Sequence, residues 1–562
     1  MPYFYLFLAL FLSSCQYSLR LEKQERPKII RQKICKAKWS PNIGLKTTLD
    51  SFGTTVFEDF KAAKYRGLYL YIIKAENQRT IEQLSQFPKL KMLKLVDYTH
   101  DDYNLAPILQ LPDLEKLTLY NLDYSTFHDS LHCSRSVQKL KLLDYSNNEI
   151  SEFPDSLSKF SSLEKLYLSY NNISDFPETI EGLTQLKELN LHRNQVFRLP
   201  SQVKNLKGLE YLNLNNNKLT EFPLVLTELS KLERLNLGTN KIKTIPLEVE
   251  QMTALKVLAL NVNPFYQLPE AVTKIPNLEH LDFSSTKLIR VPPYINNLQQ
   301  LKALDLMDNK LTQLPAEIFE LPKLERLDVM DNQLTVLSDS IGNLSTLIEL
   351  DVSFNQITRI PNTISQLSNL EILDIQDNPL EELPTAIGAL KKLEYLDLYR
   401  TNLTAIPSSF SQLKRLEKVS LANNSLTKLP SIISSWRCLK VLDLGYNQLT
   451  NLPTSIRQLK KLTELKVQDN KLTSIPASIF ECKSLVHLNL NSNKIKTLPP
   501  AVQQLKNLET LDLSFNQLKH IPKEISKLKN LKKLVLDYNP IPKEEVETLR
   551  KELPYLDIDF HH

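Results

Sequence analysis

Apolar positions return along this chain at one fixed spacing. The stretch from Leu163 to Pro177 reads L-x-x-L-x-L-x-x-N-x-I-x-x-F-P, with Leu163, Leu166, Leu168, Ile173 and Phe176 as its apolar members and Asn171 as a polar marker. The marker recurs at Asn148, Asn194, Asn217, Asn240, Asn263, Asn309, Asn332, Asn355 and Asn378. It continues at Asn424, Asn447, Asn470, Asn493, Asn516 and Asn539, and Thr286 and Thr401 fill the two places between. Every step from 148 to 539 is 23 residues. A constant period of this length is the signature of a solenoid.

Within one period, Leu163, Leu166 and Leu168 suit a short strand with its turns. Ile173 and Phe176 bring the chain back to the same interior. Ile180, Leu183 and Leu186 are three apart and suit a helical or 3₁₀ turn on the opposite side. A single coil of this kind cannot bury its apolar edge, so each needs neighbours above and below. The marker Asn carries both an acceptor and a donor. It is expected to satisfy backbone groups of its own and the adjacent coil, where the chain turns inward and loses water. Threonine offers only a hydroxyl, so Thr286 and Thr401 are expected to be weaker rungs. Pro follows the marker by six residues at 16 of 17 places, with Ser338 the exception. A residue without an N–H and with a fixed φ suits a corner that joins no ladder.

These residues resemble the leucine-rich repeat family in its 23-residue form, over about residues 66–560. That class occurs in bacterial surface proteins, plant Ras-group repeat proteins and an animal Ras-pathway scaffold. The resemblance implies an α/β solenoid: a right-handed curved horseshoe with a parallel sheet on its concave side and short helical or 3₁₀ turns on its convex side. It implies no particular function.

The rest of the chain frames the repeats. Residues 1–15 hold an apolar run from Tyr3 to Leu12, too short to span a bilayer and suited to a signal-peptide core. It ends in Leu12-Ser13-Ser14-Cys15, which resembles a bacterial lipobox; in that family the Cys is lipidated and becomes the new N-terminus. No Lys or Arg precedes the run, a departure from that pattern which leaves an unprocessed cytosolic chain as the alternative. Residues 16–46 form a basic linker, able to lie on anionic headgroups or to act as a solvated spacer. Residues 47–65, with Phe52, Val56, Phe57 and Phe60, are expected to cap the first coil. The repeats occupy 66–539, about 21 in number with the last 18 strictly periodic. Residues 540–562 form the closing cap, where Val546, Leu549 and Leu553 make one helical stripe. No further domain is expected after it.

Composition removes several functions. Net charge is only +5, so no global field favours nucleic acid. The cysteines beyond Cys15 (Cys35, Cys133, Cys438 and Cys482) form no C-x-x-C, and Cys482 stands where other repeats carry Leu. A Cys35–Cys133 bridge is possible but not favoured. None of the nine histidines forms a metal-binding pair, and no phosphate-binding or nucleophile-elbow motif is present. His192, His280 and His487 share a face but lie coils apart. No catalytic residue, metal site, cofactor or small-molecule substrate is assigned.

The chemistry lies on the sheet face. In L-x-x-L-x-L the residue between the last two apolar positions is expected to point outward near mid-strand. In successive repeats this place holds Asp282, Asp305, Asp328, Asp351, Asp374 and Asp397, with Asp308, Asp331 and Asp377 at the strand ends beside them. Carboxylates about 5 Å apart repel one another, and Arg326 and Arg400 are near enough to pair with some of them. The row reads either as an acidic groove for a basic protein, peptide or cation, or as the habitual, solubilising residue of the repeat. Asn190, Asn213 and Asn236 make a neutral stretch nearer the N-terminus. Phe354, Tyr395 and Tyr399 beside the acids, and Tyr167, Tyr170 and Tyr211 further up, are candidate interface anchors. Pro264-Phe265-Tyr266, Thr286 and Pro292-Pro293-Tyr294 break the local pattern and mark a second candidate region.

Two functional readings follow. One is a non-enzymatic protein-binding platform of the bacterial cell envelope, a lipoprotein anchored to the membrane through Cys15, whose concave face takes a protein or peptide ligand of basic character. The other is a cytoplasmic leucine-rich repeat signalling scaffold with an unprocessed N-terminus.

Overall fold

The computed structural model describes residues 45–48, 68–73, 88–98, 105–122, 139–153 and 155–561. The chain forms two compact units, Met1–Asn263 and Pro264–His562. Residues 1–44 and 49–67 lie outside the described residues, and with them the lipobox, nearly all of the basic linker, the expected N-terminal cap beyond Thr48, and Cys35; so does Cys133.

In the first unit the strands pair in parallel and in chain order. Leu45–Thr48 pairs with Leu68–Ile73, which pairs with Leu90–Tyr98 and then Lys116–Leu122. From Leu142–Asp144 each strand has three residues, through Lys165–Tyr167, Glu188–Asn190, Tyr211–Asn213 and Arg234–Asn236 to Val257–Ala259. Leu45–Thr48 was not anticipated: Leu-Lys-Thr-Thr carries no apolar pattern, and its backbone extends the edge of the next strand. The linker placed at 16–46 therefore runs into a strand at its end.

The second unit repeats the arrangement from His280–Asp282 to Lys533–Val535 in unbroken register. A last strand, Asp557–Asp559, pairs with Lys533–Val535. It follows the helix Lys543–Glu552, whose Val546 and Leu549 are buried, and together they cover the final coil.

Each three-residue strand buries its middle residue, as Leu327 and Leu350 do at 0% exposure. The return limb is a five-residue 3₁₀ segment introduced by Pro, as in Asn362–Gln366 after Pro361 at φ −70°. Ser338, where Pro is missing, caps its own segment: its hydroxyl accepts the Ser340 amide at 3.2 Å. A short α-helix, Glu270–Thr273, replaces the 3₁₀ turn in the coil that opens with Pro264-Phe265-Tyr266.

The marker Asn is the polar spine. Asn447 Nδ2 donates to Leu421 O of the preceding coil at 2.9 Å and to Leu444 O of its own at 3.1 Å, while its Oδ1 accepts the Leu426 amide at 3.0 Å. Thr401 reaches only Leu398 O in its own coil and Asn424 of the next. The Leu380 amide, left by Thr401, turns to Asn378 O at 2.9 Å. Cys482 is a core thiol: it is fully buried and donates to Ile456 O, and burial pushes its pKa up to about 11.

Candidate functional site

The sheet face of the second unit brings the acidic residues together. Asp282 stands beside Asp305, and Asp328, Asp351, Asp374 and Asp397 follow, each the in-register partner of the last. Adjacent parallel strands lie about 4.8 Å apart, so this is a continuous row. The side chains do not stand out from mid-strand as expected. They occupy the last strand position and are 6–9% exposed, apart from the half-buried Asp351. One carboxylate oxygen of each accepts the backbone amide two residues on, as Asp305 does from Met307 at 3.0 Å, Asp328 from Met330 at 3.0 Å and Asp374 from Gln376 at 3.1 Å. In the first unit Asn190, Asn213 and Asn236 accept from His192, Asn215 and Gly238 in the same way. The column is an Asx turn repeated coil by coil, which explains why Asp and Asn alternate in it. The signal was present in that interchange: both residues carry an oxygen at the same distance from the backbone.

Burial without enough counter-charge raises the row's affinity for protons. Burial, and then the neighbouring carboxylates, push Asp351 up to about 7 and Asp374 up to about 8. Burial lifts Asp282 to about 6 against the opposing Ser284 hydrogen bonds, and lifts Asp305 well above the carboxylate range. Burial raises Asp328 too, opposed by Arg326 3.2 Å away; Arg326 also faces Glu349 at 3.5 Å. The Tyr395 hydroxyl donates to Asp397 Oδ2 at 3.0 Å, and burial and the carboxylates of Asp397 and Asp374 raise its pKa. At neutral pH Asp351 and Asp374 thus hold protons for part of the time, and the strip bonds through its oxygens as well as through charge.

The accessible part of the site is the next column. Asp308, Asp331 and Phe354 are exposed, Asp377 is half-buried, and all four hold left-handed backbone at φ 52–53°. Phe354 is 40% exposed. A bulky residue at positive φ is uncommon, and an exposed one gains nothing from packing. Arg400 pairs with Asp377 at 3.1 Å. Tyr395 and Tyr399 are half-buried in the floor of the strip. The left-handed column runs through both units, and sequence spacing alone did not reveal it.

In the first unit the tyrosines separate. Tyr167 is half-buried and donates to Glu188 at 2.6 Å, whereas Tyr170 is exposed with Arg193 over its ring at 5.0 Å. Tyr211 is 3% exposed under Arg234, so its ring does not form the accessible anchor expected of it. His192 and His280 are part-buried in separate units, and among the described residues no group of side chains could hold a metal ion.

Comparison with known proteins places this geometry. Leucine-rich repeat models match residues 138–196, 207–249, 369–390, 392–413, 414–472, 460–505 and 499–541, and a leucine-rich repeat region matches 292–379. No curated protein matches the sequence. The chain is similar to a solved leucine-rich repeat protein of Leptospira interrogans, at 31% identity and TM-score 0.62, covering 78% of this chain and 99% of that one. It is also similar to the plant peptide hormone receptor RGFR1 in complex with RGF2, at 26% identity and TM-score 0.59, covering 90% and 89% of the two chains. The Arabidopsis receptor kinase HAESA, in complex with the peptide hormone IDA and the co-receptor SERK1, is similar at 27% identity and TM-score 0.55, covering 85% and 87%. With its strand, marker Asn and Pro-led turn recurring coil after coil, and its identity to a solved repeat protein extending over almost all of that protein, the chain belongs to the leucine-rich repeat family.

Proposed function

We propose that the chain is a non-enzymatic platform whose second unit binds a protein or peptide of basic character on its sheet face. The observation that carries this reading is the strip itself. A buried acidic floor is flanked by exposed Asp308 and Asp331 and by an exposed, left-handed Phe354. Aromatic anchors beside charge are what protein interfaces use, and a floor of hydrogen-bonding oxygens can take up lysine or arginine side chains. The two plant receptors similar to this chain are described with peptide hormones bound, which supports a peptide or protein ligand. A photo-crosslinker placed at 354 should capture one partner in cells of the source, and Asp308→Lys with Asp331→Lys should abolish that capture. Capture unaffected by the double substitution would refute the acidic-strip reading.

The same proposal takes the protein to be a lipoprotein of the bacterial envelope, tethered through Cys15. Support comes from the Leu12-Ser13-Ser14-Cys15 pattern after an apolar run. The mass of the mature N-terminus tests it. A diacylglyceryl-modified Cys15 in the membrane fraction is expected, and an intact Met1 in the soluble fraction would replace the envelope with the cytoplasm.

A further inference from the structure

A second charged feature lies at the opposite end of the strands from the left-handed column of Asp308, Asp331 and Phe354. In each coil the residue directly after the 3₁₀ segment's closing residue sits in the turn that leads into the strand. From Leu390 to Leu528 that closing residue is followed, in seven successive coils, by Lys391, Lys414, Arg437, Lys460, Lys483, Lys506 and Lys529. All seven are exposed. The coils before them carry Ser345 and Ser368 at this place, so the run begins abruptly.

The backbone makes the row regular. The amides of Lys391, Lys414, Arg437, Lys460 and Lys506 each donate to the carbonyl two residues back, at 2.8–3.0 Å. One geometry repeated at coil spacing sets cations in a line about 5 Å apart. Little opposes them. The following residue is Lys392, Arg415 or Lys461 in three of these coils and uncharged in the other four. Two places before the cations, at the last residue of each 3₁₀ segment, stands one acid, Glu481, 3.8 Å from Lys460. The next acids along, Glu394, Glu417 and Glu509, are each engaged by a separate cation: Arg415, Lys440 and Lys532.

We propose that this lysine rim is a docking surface for an anionic lipid bilayer. An exposed row of like charges at one coil spacing fits a plane of headgroups. Lysine, which fills six of the seven places, is attracted as a diffuse point charge and lacks the fork that reads single phosphates. The exposed aromatics Tyr446, Phe515 and Tyr538 follow their strands, away from this rim, and Tyr555 alone precedes one, so the described residues line up no stacking platform for single-stranded nucleic acid beside it. Docked in this way, the second unit would turn the opposite, aromatic-bearing edge away from the lipid.

The test is sedimentation of the purified full-length chain with vesicles of phosphatidylcholine alone, or with about a third phosphatidylglycerol, at low and high salt. The readout is the ratio of binding to the two compositions, which an acyl anchor would leave near unity. The expected result is a salt-sensitive preference for the anionic vesicles that falls about tenfold in Lys414→Glu/Lys460→Glu/Lys506→Glu. These side chains are exposed, so the variant should keep its circular dichroism spectrum and melting temperature. Asp308→Lys/Asp331→Lys, on the other edge, should retain the preference. No preference in the native chain, or an undiminished one in the triple variant, would overturn the proposal. Tighter, charge-matched binding to duplex DNA or heparin than to the vesicles would overturn it in favour of another polyanion.

Discussion

The marker Asn residues set the polar accounting of the core. Replacing Asn447 with Ala would leave the buried Leu426 amide without its acceptor, and would take one donor from each of the Leu421 and Leu444 carbonyls, which Asn424 and Asn470 still serve. One orphaned buried amide costs about 1–3 kcal/mol, so urea unfolding should show a loss of roughly that size. Thr401→Asn should act in the opposite sense, by about 1 kcal/mol, because it offers the Leu380 amide the side-chain acceptor of the other coils in place of Asn378 O. The Asp column makes a different prediction. The folded pKa values of Asp351 and Asp374 lie above the unfolded carboxylate value, so the folded chain holds more protons than the unfolded one across the range between them. The stability these groups contribute is full below about pH 4 and lost as pH rises through about 7 for Asp351 and about 8 for Asp374. Asp374→Asn keeps the acceptor for Gln376 and cannot ionise. The variant should therefore gain on the native protein in melting temperature as pH moves from 5 to 8.5. An unchanged difference across that range would show that Asp374 does not hold its proton in the folded state.

At the scale of the coil, the period is the unit of structure. Removal of residues 448–470 joins Asn447 to Lys471, which reproduces the native Asn470–Lys471 junction. Because each coil touches only its neighbours, this deletion should leave a folded protein with unchanged helix and sheet signal per residue. Removing half that length should abolish cooperative melting, since it puts a strand where a 3₁₀ turn belongs. Strands and turns were legible because apolar spacing and the Asn and Pro positions all repeat together. The strand Leu45–Thr48 was not, because an edge strand can pair through its backbone alone. The Asp column was read as outward-facing because a single sequence shows its polarity but not its crowding. Its burial arises only when parallel coils stack about 4.8 Å apart and each carboxylate folds over its own turn.

For the molecule as a whole, function rests on which surfaces the repeat leaves variable. The core columns are nearly invariant in chemistry, whereas the sheet-exit column changes from Tyr170 and Arg193 in the first unit to Asp308, Asp331 and Phe354 in the second. The acidic strip was legible in the sequence as a run of Asp. The division of labour within it was not, since Asp328 and Asp351 serve the backbone while Asp308 and Asp331 meet solvent. A Lys at 328 would break the fold's own turn, so the exposed pair is the sound probe. The most direct test of the binding strip is the affinity of the full-length chain for a synthetic oligolysine peptide, measured by calorimetry at low and high salt. The account predicts salt-sensitive binding that Asp308→Lys/Asp331→Lys weakens at least about tenfold. Equal affinity in the native chain and the variant would contradict it.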